Sequence, residues 1–130
     1  MFKKIVVVFS MMYSVTVMSQ IPTQLATTWN KFQLAIENDN IEALSKITHF
    51  PLRSNDFGGD LKSSDSLKSK YKLIFSDYVK QKIKKKCPTR IKGYNGYAVD
   101  CSDPSGLAIV LGFEKCGKIY LFTYIDNANE

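Results

Sequence analysis

Residues 107–125 have the sequence LAIVLGFEKCGKIYLFTYI, and this stretch decides the fold class. Leu107 to Phe113 and Lys118 to Ile125 are rich in β-branched and aromatic residues, which favour strands. Glu114 to Gly117 is a short interruption between them. Two strands joined by so short a turn are expected to pair antiparallel.

An earlier strand extends this pattern toward the N-terminus. Tyr94, Tyr97 and Val99 are assigned to one strand, and the sequence Ser102-Asp-Pro-Ser-Gly106 that follows is a strong turn signal. The second half of the chain therefore predicts a three-stranded antiparallel meander.

The first half has a helical period instead. An apolar residue recurs at intervals of four, three and four positions, which marks one face of a helix: Leu25, Trp29, Phe32 and Ile36. The triplet Asn38-Asp39-Asn40 ends this helix, because such side chains bond to nearby backbone and favour turns. A second, short helix carries Ile41, Leu44 and Ile47.

Pro51 disfavours a helical conformation for Phe50, so residues 48–52 are expected to be extended. Residues 53–62 have the composition of a loop. Ser64 or Asp65 is expected to cap a third helix, which would end at Lys84-Lys85-Lys86, before Pro88. Its predicted buried stripe comprises Leu67, Tyr71, Ile74, Phe75, Tyr78, Val79 and Ile83.

Helices followed by strands predict an α+β domain. Three N-terminal helices are expected to pack on one face of a curved antiparallel sheet. That sheet would contain the short strand after the second helix and the three-stranded meander.

The N-terminus has the pattern of a cleavable export signal. Lys3 and Lys4 precede a short apolar run, and Val17 and Ser19 are small residues ahead of a cut before Gln20. We therefore expect Met1 to Ser19 to be removed and residues 20–130 to fold as one domain. The apolar run is shorter than the roughly 20 residues that cross a bilayer, so no stable membrane insertion is expected after cleavage.

The residues of the mature segment resemble a known family. Trp29-x2-Phe32-x2-Ala35-Ile36, then Asp39, Leu44 and Phe50-Pro51-Leu52, is similar to the opening of small exported bacterial proteins with a nuclear-transport-factor-two-like fold. The resemblance implies a cone-shaped, cystatin-like α+β domain in which helices cover a bent antiparallel sheet, often around a pocket. With one strand fewer than the larger members, a deep substrate pocket is not expected. The family has many activities, so the resemblance implies none in particular.

Three cysteines are present, and in an exported protein one pair is expected to be oxidised. If Cys87 and Cys101 flanked one extended strand, they would lie too far apart to bond. Cys87–Cys116 is therefore the preferred pair, with another pairing or no bridge left open.

Two residues are candidate catalytic groups. His49 is the single histidine, and Asp77 precedes Tyr78 on the predicted third helix. Either side chain can move a proton in a suitable pocket. Capping or surface exposure at a helix-to-strand junction explains His49 better than catalysis does, and Asp77 falls on the solvent side of its helix. No metal or cofactor site is indicated, because the chain has no CxxC pair and no glycine-rich phosphate loop.

A basic cluster is a candidate binding surface. Its members are Lys84, Lys85, Lys86, Arg90 and Lys92. Removal of Lys3 and Lys4 would lower the formal net charge from +6 to +4, so this cluster supplies much of the remaining excess. Lipid headgroups, cell-wall polymers or an acidic protein suit an exported chain better than nucleic acid does. A solvated helix end explains the same residues.

The sequence thus predicts an exported, non-enzymatic binding module, periplasmic or secreted, whose partner is an envelope protein or a small ligand. An inhibitor or immunity protein acting on an envelope toxin or hydrolase is the first alternative. A small isomerase or hydrolase is the second. The sequence does not specify an oligomeric state.

Overall fold

The computed structural model describes residues 22–85, 87, 89–92, 95–102 and 109–127, and every structural statement below refers to these residues. The predicted export signal, Met1 to Ser19, lies outside them. So do Lys86, Pro88, Tyr94 and most of the predicted turn at 102–106.

The described residues form an α+β fold with four helices and five strands. The first half contains α1 (Thr23–Glu37), α2 (Ile41–Lys46), β1 (Thr48–Ser54), α3 (Ser64–Ile74) and α4 (Asp77–Lys84). The second half contains β2 (Thr89–Lys92), β3 (Gly96–Asp100), β4 (Ile109–Cys116) and β5 (Ile119–Asn127). The predicted α+β class is confirmed, but the order of helices and strands differs in detail from the prediction.

The sheet has the strand order β1-β5-β4-β3-β2. Strands β2 to β5 pair antiparallel, but β1 pairs parallel with β5. The prediction of a wholly antiparallel sheet is therefore wrong at this edge. The chain enters β1 from α2, and the backbone N–H of Phe122 donates to the carbonyl of Ile47 at 2.8 Å, which aligns β1 with β5 in the same direction.

The predicted first strand of the meander is two strands. Residues 89–92 pair antiparallel with residues 97–100, so the chain reverses between them. Gly96 lies where the backbones of the paired strands β3 and β4 approach closely. A Cβ on it would lie 2.1 Å from the carbonyl oxygen of Phe113. Only glycine fits that approach without a backbone shift.

The predicted third helix is also two elements. It ends at Ile74, and α4 begins after Ser76, whose hydroxyl accepts a hydrogen bond from the N–H of Val79 at 3.4 Å. Ser63 caps α3 in the same way, one residue before Ser64, the first of the two predicted caps. The break rotates α4, so Tyr78 is 49% exposed and does not belong to the buried stripe.

The core lies between the helices and one face of the sheet. Phe32 from α1 is fully buried, and its ring centroid lies 5.2 Å from that of Phe113 and 5.1 Å from that of Phe122. Trp29 and Phe75 complete the aromatic cluster. Edge-to-face packing of this kind adds to the free energy gained by burying the rings.

None of the helices in the described part of the chain combines the length and the apolar character that crossing a bilayer requires.

Candidate functional site

The structure places the two catalytic candidates on the surface. His49 is an exposed residue of β1, and Asp77 is the exposed first residue of α4. Neither lines any of the surface grooves described below. Within the described residues, neither side chain forms a hydrogen bond or ion pair with another titratable side chain.

The basic cluster is only partly described. Lys84 and Lys85 are exposed at the end of α4, and Lys92 is exposed at the end of β2. Lys86 lies outside the described residues, and the side chain of Arg90 is not described. At the end of α4, lysines interact favourably with the negative end of the helix dipole, which accounts for Lys84 without a ligand.

The predicted Cys87–Cys116 disulfide is wrong, because Cys87 is bonded to Cys101 with their Cα atoms 4.7 Å apart. The reversal between β2 and β3 is the physical reason. It places Thr89 opposite Asp100, so the residues just outside this pair meet at one end of the sheet. Cys116 ends β4 at the opposite end of the sheet and is a partly exposed free thiol.

The space between helices and sheet is filled by side chains. Phe32, Phe75, Phe113 and Phe122 are all at most 2% exposed, and Trp29 is 4% exposed. These rings lie between the helices and one face of the sheet. The candidate sites are therefore surface grooves.

A polar junction joins the helices. The Tyr71 hydroxyl donates to Oδ1 of Asp39 at 2.9 Å, and the Lys80 ammonium lies 2.8 Å from the same oxygen. The hydrogen bond from Lys80, then that from Tyr71, holds the pKa of Asp39 below its ordinary value. Burial, then the Asp39 contact, raises the pKa of Tyr71. Asp39 is thus more than a solvated surface charge, and the raised tyrosine pKa disfavours proton donation to a substrate.

This junction makes the stability dependent on pH. Because the folded pKa of Tyr71 is raised, its contribution is complete below the ordinary value of 10.0 and is lost as the pH rises above it. Because the folded pKa of Asp39 is lowered, its contribution is present above 3.8 and is lost as the pH falls below that value.

We expect Tyr71→Phe to lower the free energy of unfolding by about 1 kcal/mol at neutral pH, since it removes one hydrogen bond. Between about pH 9 and about pH 11, the free energy of unfolding measured in urea should fall less in this variant than in the unsubstituted chain. If both chains lost the same free energy of unfolding over this pH range, Tyr71 would not be the source of the alkaline loss. Leu34→Ala, which changes no titratable group, is the control, and its alkaline loss should match that of the unsubstituted chain.

A second polar cluster lies on the face of the sheet away from the helices. The Arg53 guanidinium donates to Oε1 of Glu114 at 2.6 Å and lies 5.3 Å from the ring centre of Tyr124. Asn55 donates to Asp126 at 2.6 Å. Burial, then Glu114, raises the pKa of Tyr124. Arg53, Asn55, Tyr124 and Asp126 border an open groove of about 460 Å³, and its charged side chains contact groups within the protein.

Two partly apolar grooves lie along α1. One groove, of about 390 Å³, is formed by α1 and α2 and is lined by Leu34, Ala35, Ala43 and Ile47. A second, of about 210 Å³, is formed by α1 and the start of β5 and is lined by Thr27, Thr28 and Ile119. Lys31, Lys46 and Ile47 line both. We call the two together the α1 groove.

The α1 groove exposes apolar side chains that a protein normally buries. Leu34 is 59% exposed and Ile119 is 54% exposed, which makes them two of the four large, exposed apolar residues in the described part of the chain. The other two, Leu73 and Tyr78, lie outside the groove. Leu34 and Ile119 line the two component grooves, which share Lys31, Lys46 and Ile47, so both contribute to one candidate interaction surface.

The sequence pattern does not reveal this groove. Leu34 is three residues after Lys31 on α1, but Ile47 and Ile119 come from distant elements. The exposed position of Leu34, off the buried stripe of α1, is the one sequence signal that could have indicated it.

No group of three or more histidine, cysteine or acidic side chains is arranged to hold a metal ion within residues 22–127 as far as these are described.

Comparison with known proteins identifies no family. No protein-family model matches the chain, and no curated protein matches it. A crystal structure of a de novo designed protein with a curved β-sheet aligns with 75% of this chain and 88% of its own, with 10% sequence identity and a TM-score of 0.46. At that score the likeness supports no statement about function.

Proposed function

We propose that the chain is an exported, non-enzymatic binding module of the cell envelope that engages a protein partner through the α1 groove. The observation that carries the proposal is the exposure of Leu34 and Ile119 beside Lys31 and Lys46 on one surface. Exposed apolar groups on either side of two exposed lysines offer both apolar contact area and positive charge to a partner.

Two further features support export and binding. The Cys87–Cys101 disulfide is a bond that persists in oxidising compartments, as expected of an exported chain. The aromatic core fills the layer between helices and sheet, which favours recognition on the surface over chemistry in an enclosed pocket. Helices covering one face of the sheet also support the proposed membership among small exported proteins with a nuclear-transport-factor-two-like fold.

The test is recovery of a partner from envelope extract with an immobilised mature chain, residues 20–130. Leu34→Asp alters the groove, and Leu73→Asp is a matched control because Leu73 is 61% exposed near the end of another helix. We expect one stoichiometric partner with the unsubstituted chain and with Leu73→Asp. Leu34→Asp should reduce its recovery at least about tenfold, as an apolar anchor replaced by a charge loses 1.4 kcal/mol or more.

Circular dichroism should show that both variants are folded. Equal recovery by all three chains would overturn the use of the α1 groove. If no partner binds the unsubstituted chain, the binding function itself is wrong.

A further inference from the structure

The α1 groove is cationic at its centre and apolar on both sides. Lys31 and Lys46 line both component grooves, whereas Leu34 belongs to one and Ile119 to the other. The described lining contains no acidic side chain. A partner that fits must therefore place negative charge between two apolar groups.

The two ammonium groups are available to such a partner. Lys46 has one acidic neighbour, Glu42, at 3.9 Å, and both side chains are at least 75% exposed. An exposed pair at that distance is worth little, so a better placed carboxylate can replace Glu42. Lys31 is exposed on α1 without an ion pair to any described residue.

The walls of the groove are held in place before any partner arrives. The hydroxyl of Thr28 donates to the carbonyl of Tyr120 at 2.7 Å, which fixes α1 against β5. The N–H of Phe122 donates to the carbonyl of Ile47 and fixes the end of α2 against the same strand. Preorganised walls lower the entropic cost of binding.

The size and openness of the groove favour a protein segment over a small molecule. The lined stretch of α1 runs from Gln24 to Asn38, which at 1.5 Å per residue is about 20 Å. An extended peptide of about six residues spans that length. A small ligand normally has most of its surface enclosed, but Leu34 and Ile119 remain more than half exposed.

We propose that the partner presents a short segment with a carboxylate between two apolar side chains. The carboxylate lies between Lys31 and Lys46. One apolar group packs on Leu34 and Ile47, and the other packs on Ile119. This inference rests on the proposed function and specifies the chemistry of its partner.

The experiment selects peptides from a random twelve-residue phage-displayed library on the mature chain. The affinities of the selected peptides are then measured by fluorescence anisotropy. We expect enriched peptides to carry Asp or Glu between apolar residues and to bind less tightly as salt increases. The double variant Lys31→Glu with Lys46→Glu should lose about tenfold or more in affinity, because charge-assisted hydrogen bonds are lost.

Exchanging the charges of the peptide and the protein distinguishes a lost contact from a folding defect, because a misfolded variant would bind neither peptide. Peptides whose central acid is replaced by lysine should bind the double variant better than they bind the unsubstituted chain. Leu73→Asp should leave every affinity unchanged. If the lysine-substituted peptides do not bind the double variant better, the proposed carboxylate between Lys31 and Lys46 is wrong.

The outcomes separate this inference from the proposed function. Peptides that lack an acid but lose affinity with Leu34→Asp would leave the α1 groove as the binding site and overturn the partner chemistry. Peptides insensitive to Leu34→Asp would overturn both. Binding of dodecanoate in the absence of any peptide binding would show a small anionic amphiphile as the ligand and overturn the protein segment.

Discussion

Replacement of Phe32 by alanine is expected to lower the free energy of unfolding by about 3–5 kcal/mol, the largest loss from any single substitution considered. Phe32 is 0% exposed, and its ring packs against Trp29, Phe75, Phe113 and Phe122. These rings come from α1, the end of α3 and two strands. A cavity at this position therefore removes contacts between the helices and the sheet all at once.

The measurement is equilibrium unfolding in urea followed by fluorescence of the single tryptophan. Leu34→Ala is the matched control: it lies two residues away on α1, is 59% exposed, and should change the free energy by no more than about 0.5 kcal/mol. A loss below about 1 kcal/mol for Phe32→Ala would mean that the helices do not pack on the sheet through this ring. If Phe32→Ala is unfolded without urea, Phe32→Leu provides the measurable, smaller loss.

Removal of the disulfide has the second largest expected effect. Cys87 and Cys101 are separated by 14 positions, and closing a loop of that size restricts the unfolded chain by about 3 kcal/mol in the chain-entropy model. The paired substitution Cys87→Ser with Cys101→Ser should lower the free energy of unfolding by that amount. Cys116→Ser should have little effect, because its thiol is free and partly exposed.

Thiol counting provides the direct check of the pairing. The oxidised mature chain should react with one equivalent of a thiol reagent in urea, and with none after Cys116→Ser. Three reactive thiols before reduction would contradict the bond. A Cys116→Ser chain that still gives one or two would contradict this pairing.

The elements that were predicted correctly are those with a local pattern. The apolar stripe of α1 is continuous from Leu25 to Ile36 and is buried as expected. Asn40 caps α2 by accepting a hydrogen bond from the N–H of Ala43, as the Asn-Asp-Asn triplet suggests. The hairpin of β4 and β5 follows from the composition of residues 107–125.

The wrong predictions of helix and strand bounds lie where a short break does not interrupt the spacing of apolar residues. Ile74 and Phe75 before the break and Val79 and Ile83 after it are all buried, so periodicity alone predicts one helix. Ser76 was the missed signal, since serine is a preferred N-cap. Likewise, Gly93 and the pair Asn95-Gly96 are turn-forming residues that indicate the reversal between β2 and β3. Recognising that turn would have favoured Cys87–Cys101.

The α1 groove and the junction of Asp39, Tyr71 and Lys80 are not local in sequence. Tyr71 is 32 positions from Asp39, and Lys80 is 41 positions from it. Ile119, the first residue of β5, lines the groove beside residues of α1 that lie about 90 positions earlier in the chain. Such sites depend on tertiary contacts that composition and periodicity do not encode.

Amide chemical-shift mapping tests the central claim, binding through the α1 groove, most directly. Isotope-labelled residues 20–130 would be titrated with a partner recovered as in the proposed binding test and followed by two-dimensional proton–nitrogen NMR. We expect the largest amide chemical-shift changes on α1, α2 and the first residues of β5, around Leu34, Ile47 and Ile119. Shifts centred on Lys84, Lys85 and Lys92, or on Arg53 and Tyr124, would contradict that claim.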